Sequence, residues 1–352
     1  MRFPSVQALA MAAALLLAAG AAPPPNGEPG TRNSELGTPS ASSHGPSAGS
    51  QVVSAIGDNR AAPADGSRHP ALEEGWKELR YANWPKAQDL LERVRRESAD
   101  PRERAEATFA LANLWQFRRP GPKVERAREL YEQVLGEHAD TPVAPFAVMA
   151  LARLADTPDL EKDRDPKRAR ELYERLLRDW PHHRLADEAV LRLALVNLQA
   201  ATVPPEAVRG EMTASVPAAD RDRLETEAAR LLEPHLKARP TNILAAPMRI
   251  VLGNLYARRG RWQDAVDQWV AADAAGVPGL SDRATLYYRI ARVAEVELGR
   301  YDVAARWYGR IVTDIRRDPR YYVALEAAER CRAKVAEAAA PGAGPSAGEG
   351  GR

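Results

Sequence analysis

The sequence predicts an all-α fold of about six helical hairpins followed by a closing helix. Two observations carry this. Leu, Ala, Arg and Glu, all strong helix formers, dominate residues 71–339, and runs of alternating β-branched residues are missing. Two marks also recur along the same stretch. The first is a large aliphatic residue followed by a small one: Leu111-Ala112, Leu151-Ala152, Leu193-Ala194, Leu252-Gly253 and Ile290-Ala291. The second is Ala-x-x-x-large: Ala87–Leu91, Ala127–Tyr131, Ala169–Tyr173, Ala228–Leu232, Ala265–Trp269 and Ala304–Tyr308.

Successive second marks lie 40, 42, 59, 37 and 39 residues apart, and prolines (Pro101, Pro142, Pro181, Pro240, Pro278, Pro319) punctuate the units. The hairpins pair residues 72–98, then 103–117 with 123–137, 144–155 with 166–179, and 185–200 with 221–238. An insertion of about 20 residues, TVPPEAVRGEMTASVPAAD, explains the long interval in the fourth. The fifth, 246–272, is the clearest. Gly253 and Ala265 remove side-chain bulk where the helices cross, Tyr256 and Trp269 supply apolar mass, and Gly260 with Arg261 makes the turn. A sixth hairpin follows, and 321–339 closes the stack with its polar face outward.

The flanks read differently. Residues 1–22 form a signal peptide, with Arg2 ahead of a short apolar core from Ala8 to Ala19 and cleavage expected after one of residues 19–22. The only Cys is Cys331, so no lipid-anchoring Cys stands at the cleavage point and no internal disulfide forms. Cys331 is expected to be a small packing residue. Residues 23–70 and 340–352 are rich in Pro, Gly, Ser and Ala and are expected to be disordered. No later stretch approaches 18 apolar residues, so no integral membrane segment is expected in the mature chain. The expected location is periplasmic or secreted.

Charge and chemistry exclude several functions. Fifty basic residues face 48 acidic ones, a balance unlike a nucleic-acid-binding surface. His182 and His183 beside Asp187 and Glu188 are the densest group of ligand-type side chains. Only His183 with Asp187 has helix-face spacing, and two ligands make no closed metal site. No nucleophile elbow, phosphate loop or Cys–His pair occurs. Neither catalysis, a cofactor nor a metal is expected.

The spacing Leu252-Gly253, Tyr256, Gly260, Ala265, Trp269 and Ala272 resembles the tetratricopeptide repeat (TPR), with longer and irregular units. The stretches ADEAVLRLALVNLQ and YYRIARVAEVELGRYDVAARWY resemble TPR proteins of the bacterial cell envelope. The resemblance implies a right-handed α-solenoid and a non-catalytic scaffold that binds a protein or peptide on its concave face, lined by the leading helix of each hairpin. The family's groove positions fall on Asn113, Arg153, Asn254, Arg258 and Arg289, joined by Phe109, Met149, Leu191, Leu195, Ile250, Ala257 and Arg292. Ile250 stands where family members with a carboxylate clamp have Lys, so that activity is not implied. Such a groove suits a peptide with some acidic residues. A peptidoglycan- or carbohydrate-binding protein, or an accessory helical protein of an envelope enzyme complex, is the competing reading. Exposure of Trp76, Trp84, Trp180 and Trp262 discriminates: a row of open indoles favours sugar, and buried indoles favour a scaffold.

Overall fold

The computed structural model describes residues 69–118, 120–157, 164–200 and 217–339. The expected signal peptide, the expected linker as far as residue 68, the tail and most of the insertion of the fourth hairpin lie outside the described residues; the last two linker positions, His69 and Pro70, cap and open the first helix instead. Thirteen α-helices occur among them: α1 (Pro70–Arg80), α2 (Trp84–Glu97), α3 (Pro101–Phe117), α4 (Val124–Glu137), α5 (Ala144–Asp156), α6 (Pro166–Asp179), α7 (Ala186–Ala200), α8 (Ala218–Ala238), α9 (Ala245–Arg258), α10 (Trp262–Ala275), α11 (Leu280–Val296), α12 (Tyr301–Asp314) and α13 (Tyr321–Ala339). Among the described residues the fold is all-α, a helical repeat of consecutive hairpins.

Local sequence explains many of the boundaries. Pro70, Pro101 and Pro166 open α1, α3 and α6, where a helix needs no amide donor. Asp100 and Asp165 cap α3 and α6 by accepting hydrogen bonds from the backbone N–H groups of Arg102 and Arg168. Gly260 and Gly299 take φ of +70° and +62°, which lets α9 and α11 turn sharply into their partners. The first hairpin manages the same turn with Ala82 at φ +58°.

The chain divides into two compact units, with the border between Leu224 and Glu225 inside α8. That border falls within the longest interval between second marks, Ala169 to Ala228. In the first unit α1 packs on α2, α3 on α4 and α5 on α6. Leu91, Tyr131 and Tyr173 are fully buried. Gly75 shows why the α1–α2 hairpin tolerates its irregular sequence: a Cβ there would stand 2.8 Å from Leu91 Cδ2. The second unit pairs α9 with α10, α11 with α12, and α12 with α13. A Cβ on Gly253 would stand 2.5 Å from Trp269 Nε1 and 3.1 Å from the Ala265 carbonyl oxygen, so only glycine fits the crossing. Gly75 and Gly253 thus use one device, a glycine pressed against the large residue of the following helix.

One expectation needs correction. Helix α13 buries a stripe of Ala324, Ala327, Ala328 and Cys331, but its outward face is not wholly polar. Tyr322, Val323 and Val335 are exposed on it beside the charged residues. Cys331 is free and buried, as its small size suggests.

Candidate functional site

The leading helices of the first unit meet around a charged network. Glu188, in the first turn of α7, accepts hydrogen bonds from Arg153 Nε of α5 at 2.9 Å and from Arg192 Nε at 2.6 Å. Arg153 Nη2 also donates to Glu188 Oε2. Arg192 reaches Asp156 Oδ2 at 3.5 Å, Arg164 Nη2 donates to Asp156 Oδ1 at 2.8 Å, and the Tyr173 hydroxyl donates to Asp156 Oδ2 at 3.4 Å. Asp156 and Arg192 are both buried. Burial raises the pKa of the Glu188 carboxyl, but the Arg153 and Arg192 guanidinium groups outweigh it and hold the pKa down to about 2. Each buried charge here has an opposite charge beside it, the condition under which burial of ions is tolerated.

The second unit has a related cluster built from different chemistry. Asn254 of α9 is buried, and its Oδ1 accepts from Trp269 Nε1 of α10 at 3.2 Å and from Arg289 Nη1 of α11 at 2.5 Å. The Arg289 guanidinium lies 5.5 Å from the centroid of the Trp269 ring, in cation–π range. Burial lowers the Arg289 pKa from its ordinary value. Asn254 Nδ2 is buried and has no hydrogen-bond partner among the described residues. Nearby, Arg258 reaches Glu225 Oε1 of α8 at 3.0 Å, and Tyr256 donates to Glu233 Oε1 at 2.7 Å.

The five expected groove residues therefore separate by unit and by burial. Asn113 is only 3 % exposed and donates its amide to the Phe109 carbonyl oxygen on its own helix. Phe109, Met149 and Leu191 are buried with it. These four residues are packing elements. Arg153 is held by Glu188, and Asn254 and Arg289 hold each other. Arg258 and Arg292 are exposed, and Leu195, Ile250 and Ala257 are half-buried. Sequence reasoning missed Asp156, Glu188 and Arg192 as a network, and missed Trp269 as part of a polar cluster. A signal was present: Arg192 precedes Leu193 just as Arg289 precedes Ile290, so two hairpins place arginine at the same register.

The tryptophans form no open row. Trp76 is 5 % exposed and donates to Glu106 at 2.8 Å, and Trp84, Trp180 and Trp262 are half-buried. Trp115 is also half-buried, with Arg118 and Lys123 over its ring. His183 lies edge-on to Phe146 and accepts a bond from the Leu185 backbone, so it serves the turn ahead of α7. No group of three or more metal-ligating side chains occurs among the described residues.

No family model matches the sequence, and no curated protein matches it. Solved structures with similar folds include PilF of Pseudomonas aeruginosa, at 14 % identity and a TM-score of 0.46, covering 75 % of this chain and 96 % of that one. A thermophilic TPR protein of Thermus thermophilus, TTC0263, aligns at 15 % identity and a TM-score of 0.31, over 76 % and 97 % of the two chains. Acl4, an assembly chaperone of RpL4, aligns at 14 % identity and a TM-score of 0.39, over 77 % and 97 %.

Proposed function

We propose that this protein is a non-catalytic scaffold that binds a protein or peptide partner, and that it works in the bacterial cell envelope after export. The observation that carries the binding reading is the leading face of the second unit. Exposed Arg258 and Arg292 flank the half-buried Ile250, Ala257 and Arg289 on neighbouring leading helices. Aliphatic surface of this kind removes water from a bound segment, and the arginines select its charge and register. Arg153 and Arg258 each already engage a carboxylate, Glu188 and Glu225, so a partner's acidic group shares them with the fold.

Trp76 is buried against Glu106, which favours a scaffold over a sugar binder at that position, while Trp84, Trp180 and Trp262 are half-buried. Export rests on the character of residues 1–22 alone. Envelope extract passed over the immobilised mature chain tests the reading. A partner should be retained and identified by mass spectrometry. The exposed pair Arg258→Ala/Arg292→Ala should weaken its retention, more so at low salt than at high salt. Absence of any specific partner would defeat the scaffold reading, and an intact Met1 on the exported protein would defeat the signal peptide.

A further inference from the structure

Three leading helices of the second unit begin at one edge, and side-chain contacts place them there. Arg249 of α9 donates to Gln268 of α10, and Gly253 approaches Ala265, so α9 and α10 run antiparallel. Tyr287 of α11 donates to Asp273 at 2.9 Å and Arg289 lies over Trp269, so α11 is antiparallel to α10 as well. Arg320, just ahead of α13, donates to Thr285, and Arg330 donates to Glu295, so α13 runs with α11. The starts of α9, α11 and α13 therefore share one edge with the loops that feed them.

That edge exposes apolar side chains. Ile243, two residues before α9, is 90 % exposed; Leu280, the first residue of α11, is 59 % exposed; Tyr322, the second of α13, is 74 % exposed. These are the three most exposed large apolar residues among the described residues of the second unit, and Val323 adds another beside Tyr322. Residues 274–281, AAGVPGLS, carry no charge, and all but Val277 are exposed. A single exposed apolar residue is ordinary, but one at the head of each of three successive leading helices is a repeated feature.

The open charge beside these tips is positive. Segments 236–244, 273–283 and 313–323 together carry six basic residues and four acidic ones. Three of the four carboxylates are engaged within the fold, Asp273 and Asp314 by Arg310 and Asp318 by Arg320, and the fourth, Asp282, is half-buried. Lys237, Arg316 and Arg317 are exposed. Glu326 stands one turn behind Tyr322 on α13. The loops ahead of α3, α5 and α7 in the first unit differ. They hold no exposed large apolar residue among the described residues, and Asp100, Asp140 and Asp179 are exposed in or beside them. An apolar and basic edge is thus a property of the second unit and not of the repeat.

We propose that this edge docks on an anionic lipid surface, with Ile243, Leu280 and Tyr322 entering the boundary between headgroups and acyl chains and Lys237, Arg316 and Arg317 meeting lipid phosphates. The proposal goes beyond the scaffold reading, which concerns the leading face. Two features favour a bilayer over a protein. Each apolar tip stands on its own loop, and a fluid bilayer accepts each one where it falls, whereas a protein partner needs a matched pocket for each. Tyrosine also suits the interface, where its ring is buried and its hydroxyl stays wet. The cations add attraction to anionic headgroups.

Flotation of the full mature chain tests the edge, with vesicles of phosphatidylcholine alone and vesicles of equal parts phosphatidylcholine and phosphatidylglycerol. Affinity for the anionic vesicles should be about tenfold higher than for the neutral ones, and high salt should reduce the difference. Ile243→Ser/Leu280→Ser/Tyr322→Ser should lower the anionic affinity about tenfold with unchanged helical circular dichroism, because all three side chains are exposed. Lys237→Ala/Arg316→Ala/Arg317→Ala should remove the preference for anionic lipid. A polarity-sensitive dye on Ile243→Cys should shift to the blue on anionic vesicles, and the same dye on Val296→Cys, at the far end of α11, should not; buried Cys331 stays unlabelled. Absence of binding, equal affinity for both vesicles, full binding by the serine variant, an unshifted dye at Ile243→Cys or an equal shift at Val296→Cys would each overturn the docking edge. If the serine variant loses the partner found in the extract and vesicles go unbound, the edge is a protein contact; this inference then falls and the scaffold reading stands.

Discussion

Arg192, buried, and Arg289, half-buried, occupy the same step of the repeat and meet their surroundings in opposite ways. Around Arg192, Glu188 and Asp156 supply the compensating charge from within the fold, and Tyr173 and Arg164 complete the hydrogen bonding. Around Arg289, an amide and an indole supply polarity without charge. The first arrangement is closed and holds α5, α6 and α7 together. The second is open in the chemical sense, because among the described residues Asn254 Nδ2 has no acceptor and Arg289 meets no carboxylate. A repeat architecture makes such a comparison informative: the helix geometry is held nearly constant, so a change of side chains at one register isolates what each set of side chains is for.

The largest expected effect comes from breaking the closed network. Glu188→Gln leaves Arg153 and Arg192 facing one another without their shared carboxylate, and it should cost the first unit about 3 kcal/mol in urea unfolding, near the low end for a disrupted buried pair. Arg289→Met should cost the second unit little or nothing, since it removes a cation that has no carboxylate partner. Equal losses from the two changes would erase the distinction between the clusters.

Acid gives a reversible version of the same test. The Glu188 carboxyl is held down to about 2, from an ordinary value of 4.5, so the stability it contributes is fully present above pH 4.5. That contribution, about 3 kcal/mol at most, is lost as the pH falls from there through about 2. Comparing wild type with Glu188→Gln by pH-dependent unfolding should show a difference that shrinks over this window. A constant difference from pH 7 to pH 2 would mean that Glu188 acts through packing and not through charge.

Smaller effects sharpen the description of each hairpin. Gly253→Ala forces a Cβ to within 2.6 Å of the Trp269 ring, and Gly75→Ala forces one to 2.8 Å of a Leu91 methyl. Each should destabilise its hairpin by about 1–3 kcal/mol in thermal melts, the Gly253 variant more, because an indole wedged between helices yields less than the end of a leucine. Unchanged melting of Gly253→Ala would contradict the close crossing of α9 and α10. At the bottom of the scale, exposed His182→Ala should leave the melting temperature unaltered.

The sequence by itself determined the helices, their pairing and the residues at their crossings. These follow from local rules: helix propensity, proline at first turns, glycine at turns, and a small residue opposite a large one. All six Ala marks and all six large residues of the second mark are buried, including those of the irregular first hairpin. Those positions were legible because packing between consecutive helices depends on residues close in the chain, so its pattern is written at short range. Only the tertiary structure decided which polar residues of the leading face stay open. Asn113 and Asn254 share one register, yet one bonds its own helix at Phe109 and the other is shared by Trp269 and Arg289. Whether an arginine is neutralised depends on side chains about 35 residues away, as with Arg153 and Glu188, and on how long side chains fold across a helix interface. Spacing records where a side chain starts. The partner its charge finds is set by the competition among all groups within reach, and that is settled only when the helices are packed.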